Sequence, residues 1–414
     1  MKVMIRRSPE TGLSIYVPKK DLEEPIVETE HETLWGGWIR IANGWVLELP
    51  QMAADTDLLI AGGGLAGIGL SGDFDIGFAN DIDPIKTAAF AANHPQVPLH
   101  QGDVWELEPD DLPGRPDLCW ASSPCQDVSL AGARGGLEAR RSGAFWGFWR
   151  LMQGLDAQGR APRLIVLENV VGLLTSGGGA DFAAVCRAMT DLGYVVGALE
   201  MDAALWLPQS RPRLFVVAMK SLEGPVSAGP RAPFHSSRLV GAQQALPDQV
   251  RRRWRWWSLT PPPLRNPDLA SVLEPETDCA WFDRERANAL LALLSPLHRR
   301  RLDAMSASGE RRVGAAYRRV RREADGKRQR LELRFDGLAG CLRTPAGGSS
   351  RQYVVAVEQG QVRIRYLNAR EGARLMGLPD DYRLPARESA GLKLVGDAVA
   401  VPVVRALSEG LLRP

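Results

Sequence analysis

Leu58-Leu59-Ile60-Ala61-Gly62-Gly63-Gly64-Leu65-Ala66-Gly67 is the stretch that decides the fold class. Four apolar residues read as a buried strand, and the glycines read as a tight turn that opens a helix. Glycine at such a turn lets a ligand approach the backbone closely. The same rhythm continues outward. Residues 76–79 read as a second strand ending in Asn80-Asp81-Ile82-Asp83-Pro84, and residues 118–121, 164–167, 195–196 and 214–218 read as further strands. Helical stretches at 144–155 and 181–192 fall between them. Alternating strand and helix over residues 56–220 implies an α/β unit, a parallel sheet covered on both faces.

Chemistry collects at the ends of these strands. Asp81 closes the second strand, where a carboxylate accepts from ribose hydroxyls. Asp103, after His100-Gln101-Gly102, is placed to accept from an adenine amino group. A glycine turn followed by two acids suits a nucleoside cofactor, with NAD and S-adenosylmethionine both open on these residues alone. The strand at 117–121 runs into Ser122-Ser123-Pro124-Cys125-Gln126-Asp127-Val128-Ser129, and the Ser/Pro break leaves the Cys125 thiol at the mouth of a loop. A lone cysteine is more often a small buried hydrophobe. The strand at 164–167 leads directly into Glu168-Asn169-Val170, which puts a carboxylate at the edge where α/β folds hold their sites. In Gln209-Ser210-Arg211-Pro212-Arg213, extended backbone would turn Gln209, Arg211 and Arg213 to one face.

The 414 residues are enough for two or three domains, and the composition is that of an ordinary globular protein. Net charge is +2, but residues 221–340 hold 21 Arg and one Lys against 14 Asp and Glu. So basic a middle points to a polyanionic partner. Arg251, Arg253 and Arg255 interleave with tryptophans in Arg251-Arg252-Arg253-Trp254-Arg255-Trp256-Trp257, and further clusters follow at 299–301, 311–312, 318–319 and 321–322. Several clusters in one region favour phosphate contacts. Five cysteines, at 119, 125, 186, 279 and 341, lie too far apart for a disulfide framework or a metal site. With no apolar stretch at the N-terminus and no run long enough to span a bilayer, a cytoplasmic location without membrane or metal is expected.

Four regions are expected: a small β unit at 1–55, a cofactor-binding and catalytic domain at 56–220, a basic domain at 221–340, and a compact return at 341–414. In the first, residues 13–17, 37–41 and 45–49 read as short strands around an Asn43-Gly44 turn. Met4-Ile5-Arg6-Arg7, Lys19-Lys20-Asp21-Leu22-Glu23-Glu24 and Leu34-Trp35-Gly36-Gly37 resemble the NifT/FixU nitrogen-fixation accessory family over about the first 55 residues.

From about residue 56 onward, the ordered words resemble the DNA (cytosine-5) methyltransferases. They are the turn from Asp57 to Gly64, Asp81, Gly102-Asp103, Pro124-Cys125-Gln126, Glu168-Asn169-Val170 and Gln209-x-Arg211-x-Arg213. Arg370-Glu371, Gly377-Leu378-Pro379-Asp380 and Gly396-Asp397-Ala398-Val399 complete the series. The resemblance implies a Rossmann-like, S-adenosylmethionine-dependent domain carrying an inserted target-recognition domain. It implies Cys125 as nucleophile on carbon 6 of cytosine. It gives Glu168, protonated by burial, as donor to N3, and Arg213 with Arg211 on the O2 edge. The cofactor would lie against Leu59, Gly62, Gly63, Gly64, Asp81, Ile82, Asp103, Val104, Pro124, Asp397 and Val399. Gln126, Ser129, Arg141, Gln209, Arg251, Arg253 and Arg255 would meet DNA, and the glycine-rich loop after Cys125 would close over a flipped base. The terminal helix would pack back on the first domain. A monomer acting on double-stranded DNA is expected, with a cognate restriction endonuclease as partner or as an orphan. Two words depart from the family: Leu59 lacks the usual aromatic ring, and Asp397 stands where the family usually has Asn. An RNA cytosine methyltransferase and an inactive DNA- or partner-binding module are the alternatives. Intact Cys125, Glu168 and Arg213 disfavour the second.

Overall fold

The computed structural model describes residues 4–8, 12–17, 22–29, 38–48, 57–61, 65–122, 143–221, 224–264, 268–323, 326–344 and 351–413. It divides into two units, Met1–Thr56 and Asp57–Pro414.

The first unit is an antiparallel meander of β1 (Met4–Ser8), β2 (Gly12–Val17), β3 (Leu22–Thr29), β4 (Trp38–Ile41) and β5 (Val46–Glu48). The Asn43-Gly44 turn joins the last two strands. Asn43 Oδ1 accepts from the Trp45 amide at 3.1 Å, and Gly44 takes φ of +88°. Ile39 and Ile41 are buried. β1 and β3 escaped the sequence reading because Arg6-Arg7 and Glu23-Glu24-Pro25 interrupt any apolar alternation.

The second unit is built on a seven-stranded sheet of β6 (Asp57–Ala61), β7 (Asp75–Asp81), β8 (Leu99–Gln101), β9 (Pro116–Ser122), β10 (Leu164–Val170), β11 (Val195–Asp202) and β12 (Pro212–Met219). Its order is β11-β12-β10-β9-β6-β7-β8. The expected all-parallel sheet needs one correction: β12 runs antiparallel to both neighbours. Only nine residues join β11 to β12, which is too short for the crossover a parallel pair needs.

Strand alternation sorts the core into two layers. Leu118, Trp120, Leu164 and Val166 face one apolar cluster, while Cys119, Ala121, Ile165 and Leu167 face the other. Helices α1 (Leu65–Leu70) and α2 (Pro84–Asn93) contribute to the first layer, and α3 (Ala144–Ala157) and α4 (Ala180–Asp191) to the second. Burial pushes the Cys119 and Cys186 thiols well up, which leaves both as inert packing groups.

Beyond β12, the two-stranded pair β13 (Val226–Ser227) and β14 (Trp256–Trp257) and helices α5 (Ser237–Gln244) and α6 (Asp248–Arg252) cover the outer edge of β11. Next come α7 (Arg284–Leu291), α8 (Pro296–Ala307), β15 (Arg312–Glu323) and β16 (Gly326–Arg334). β17 (Gln352–Glu358) and β18 (Gln361–Tyr366) then complete an antiparallel sheet of order β16-β15-β17-β18. The sheet of the basic region thus continues past residue 340, into the segment expected to be a separate compact return.

The chain then returns to the first layer through α9 (Ala369–Leu375), α10 (Glu388–Asp397) and α11 (Val401–Leu407). Asn368 caps α9 in a reciprocal box with Glu371 at 2.8 and 3.0 Å. α11 lies on α1, as expected of the terminal helix. Val401 and Val404 share the apolar cluster of Leu65 and Leu70, and Ser408 Oγ donates to Asp73 at 2.7 Å.

Candidate active site

The carboxyl ends of β6, β7, β9 and β10 form one edge. β10 runs parallel to β9, with Glu168 directly opposite Ser122. Cys125 lies outside the described residues, as do Gly62, Gly63, Gly64, Pro124, Gln126, Ser129 and Arg141.

Across from β10, Val170 pairs in register with Arg213 of β12. Arg213 Nε sits 3.0 Å from Glu168 Oε1, and both side chains are largely buried. Arg213 Nη1 also donates to the Pro212 carbonyl at 2.9 Å and lies 3.9 Å from Cys341 Sγ. A guanidinium and a carboxylate are thus fixed together at the mouth of the sheet, beside the strand that leads into the thiol.

Arg211 and Gln209 lie deeper on the same side, and Arg211 Nη1 reaches the Cys341 Sγ that Arg213 also touches, at 3.5 Å. Arg211 is 2% exposed; it donates to the carbonyls of Leu342 at 2.9 Å, Gly396 at 3.0 Å and Ala398, and its amide is held by Asp202 Oδ1 at 2.7 Å. Burial, reinforced by neighbouring Arg213, pushes its guanidinium down to about 10. Gln209 is fully buried, donating to the Leu375 carbonyl at 2.6 Å and accepting from the Leu342 amide at 3.2 Å. Both tie the returning C-terminal segments to the sheet. The three side chains do turn to one side, as read: Gln209 and Arg211 both meet Leu342, and Arg211 and Arg213 both reach Cys341 Sγ, at 3.5 and 3.9 Å, even though β12 begins only at Pro212.

Arg251, Arg253 and Arg255 are placed away from this edge. Arg255 N donates to the Val196 carbonyl at 2.8 Å, and Val196 pairs with Ala218, at the amino-terminal end of the sheet. Their guanidinia reach the carbonyls of Gln244, Gly193 and Trp254. The cation–aromatic pattern comes from Trp254 and Trp257 burying against β11 while the arginines satisfy local carbonyls.

The residues expected to hold a nucleoside sit along the remaining edge. Asp81 ends β7, where its Oδ1 accepts from the Asp83 amide at 2.9 Å, and Ile82 beside it is 67% exposed. Asn80 Nδ2 donates to the His100 and Gly102 carbonyls at 3.2 and 2.9 Å, which sets the turn that carries Asp103. Asp103 Oδ1 accepts from the Trp105 amide at 3.1 Å, while Val104 and Val399 are buried. Leu59 occupies its strand position in β6, but its side chain lies outside what is described. Asp397 pairs with Lys86 at 3.1 Å and with the Thr344 hydroxyl. That pairing accounts for the acid at this position: Lys86 supplies a counter-charge that a neutral Asn would not need. Gly396, just before it, passes so close to the backbone that an added Cβ would lie 2.6 Å from Arg343 C and Thr344 N.

Sequence reading missed the joint between the basic sheet and the sheet-bearing layer. Arg365 of β18 binds Glu371 of α9 through two nitrogens, at 2.8 and 2.6 Å, and both are buried. Arg370-Glu371 was legible as a word, but Arg365 as its partner was not. Among the described residues, no group of His, Cys, Asp and Glu is arranged to hold a metal, and no helix is long and apolar enough to cross a membrane.

Comparison with known proteins agrees with this geometry. The family model for C-5 cytosine-specific DNA methylases matches residues 57–413, and that for NifT/FixU proteins matches residues 1–61. The chain is 25% identical over 335 residues to the type II methyltransferase M.BsuFI of Bacillus subtilis, covering 81% of this chain and, at 66%, just under two thirds of that protein. Its first segment is 60% identical over 58 residues, 14% of this chain, to a FixU homolog of Sinorhizobium fredii, of which it covers 75%. The crystal structure of S. pombe Dnmt2 methyltransferase superposes with a TM-score of 0.53 at 17% identity, over 85% of this chain and 96% of that one, and so shares the Rossmann-like fold. The chain therefore belongs to the C-5 cytosine-specific DNA methylase family through its second unit, with a segment of the NifT/FixU family ahead of it.

Proposed function

We propose that the chain is a DNA (cytosine-5) methyltransferase of a restriction–modification system or an orphan, acting on a flipped-out cytosine in a specific duplex through a covalent Cys125 adduct. The observation that carries this reading is the Glu168–Arg213 pair at 3.0 Å, with Glu168 in register opposite the strand end that leads to Cys125. Carbon 5 of cytosine is too electron-poor to attack an electrophile unaided. Addition of the Cys125 thiolate to carbon 6 converts the ring to an enamine and makes carbon 5 nucleophilic. Glu168 is the group placed to give a proton to N3 as charge builds there. Arg213 fixes the Glu168 carboxyl and offers positive charge to the O2 edge.

The residues fit S-adenosylmethionine as the donor. Asp81 and Asp103 end neighbouring βα units, exposed Ile82 offers an apolar face to a planar ring, and the Lys86–Asp397 pair is a polar contact beside them. When bound, that cofactor supplies an electrophilic methyl group to carbon 5. A base then takes the carbon 5 proton, the Cys125 thiolate leaves, and the N3 proton returns to Glu168, which restores the neutral aromatic ring. In this reading residues 221–340 serve as the target-recognition domain, and the protein works as a monomer in the cytoplasm.

Cys125→Ser should abolish methyl transfer while retaining duplex binding. The wild-type chain should become covalently trapped on a duplex carrying 5-fluorocytosine when cofactor is present. Full activity of Cys125→Ser, or no trapping across a library of sequence contexts, refutes the reading.

A further inference from the structure

The basic sheet carries an extension that the site above does not use. β17 pairs with β15 only as far as Tyr317, whereas β15 and β16 stay paired to Glu323 and Gly326. Six residue pairs, Arg318↔Leu331 to Glu323↔Gly326, therefore form a two-stranded ribbon free of the sheet, roughly 20 Å long at strand rise. A two-stranded β-ribbon is one of the two elements that the DNA major groove admits.

Both faces of the ribbon are basic, but they differ in ion pairing. Residues directly opposite each other point to the same side. On one side, Arg321 binds Glu332, Arg330 binds Glu323 at 2.7 Å, and Arg319 lies over the Tyr317 ring. On that side four arginines, 319, 321, 328 and 330, share the two carboxylates of Glu323 and Glu332, so it is ion-paired but still net positive. The other side begins as core, with Ala316, Leu331 and Leu333 packed under Leu290, Leu294 and Leu302. Past the helices the same side opens to solvent as the pairs Val320↔Gln329 and Arg322↔Lys327. Val320 is 58% exposed, and no ion pair among the described residues engages Arg322 or Lys327. A solvent-facing Val between uncompensated cations and an amide suits a groove carrying both phosphates and base edges.

We propose that this open side of the ribbon is the base-reading element, seated in the major groove of the duplex. The proposal rests on the methyltransferase reading above and names the residues that set its sequence specificity. Gln329 donates to and accepts from an adenine edge, its cross-strand partner Val320 covers the methyl of a thymine, and Arg322 and Lys327 bind flanking phosphates. The recognised site then contains an A·T pair. The arginines at 251–255 take no part.

The test is bisulfite sequencing of DNA methylated by the wild-type full chain and by Gln329→Ala, Arg322→Ala/Lys327→Ala and Arg328→Ala, with duplex affinity measured against salt. The wild type should modify one motif containing an A·T pair. Gln329→Ala should lose discrimination at that pair by on the order of tenfold or more. The double variant should keep the motif while its log–log salt slope shrinks by about two. Arg328→Ala, on the ion-paired side, should change neither. An unaltered motif and discrimination in Gln329→Ala, or an unaltered slope in the double variant, overturns the ribbon proposal while wild-type trapping on fluorocytosine leaves the enzyme reading standing. A wild type that modifies no duplex cytosine overturns both.

Discussion

Replacing Arg211 by Met separates a structural arginine from a chemical one. Met keeps the stem and most of the volume but removes the donors that meet the Leu342, Gly396 and Ala398 carbonyls. Each carbonyl left buried without a donor costs about 1–3 kcal/mol. Partial relaxation in the C-terminal segments should bring the sum to about 4 kcal/mol rather than the full total. With a urea slope of about 3 kcal/mol per M, the unfolding midpoint should fall by roughly 1 M. Arg213→Met loses one ion pair at the site mouth, so its midpoint should move much less, while kcat falls by about 100-fold or more. Urea unfolding followed by tryptophan fluorescence, together with methyl transfer under single-turnover conditions, measures both. If Arg211→Met unfolds at the wild-type midpoint yet loses catalysis as Arg213→Met does, Arg211 acts on the base and the structural assignment is wrong.

Three further outcomes are expected. Lys86→Met should weaken S-adenosylmethionine binding by leaving Asp397 without its cation, and Asp397→Asn on the same background should restore it; calorimetry on the pair of variants checks this. Burial pushes the Asp73 carboxyl up, but its bonds to Arg413 and Ser408 outweigh that and hold it below its ordinary value. The stabilisation is therefore present above the ordinary Asp range and is lost as pH falls through the depressed one. Arg413→Ala should be less stable than wild type near neutral pH, with the gap closing under acid in urea titrations run at each pH. Removing residues 1–50 should leave methyl transfer intact, because the expected site residues all lie in the second unit; a large loss of activity on cognate duplex would contradict that.

Six of the seven strands of the large sheet were legible because covered faces make them short apolar runs, whereas the edge strand β8, Leu99-His100-Gln101, carries no such run. Direction was not legible in those runs, which is why antiparallel β12 had to come from the pairing. Glu168 and Asp81 could be placed because a strand end fixes where a side chain emerges. The common side of Gln209, Arg211 and Arg213 was legible too, but the partners of the first two at Leu342, Leu375, Gly396 and Ala398 were not, because they lie far along the chain. Composition alone could not place Arg251 to Arg255: tryptophans among arginines look alike whether they meet nucleic acid or bury against a strand edge. Lys86 as partner of Asp397, and Arg365 as partner of Glu371, join residues hundreds or a few positions apart, and neither pairing leaves a periodic trace.

The seating of α11 on α1 has a consequence for biosynthesis. Those helices are separated by about 330 residues, so at ribosomal speeds of about 5–20 residues per second the apolar flank of α1 waits roughly 20 to 60 s for its lid. During that interval the nascent chain shows a greasy surface to the cell and calls for a holding chaperone. A message broken anywhere in the last third would leave that surface bare for good, so incomplete products should be cleared by proteolysis.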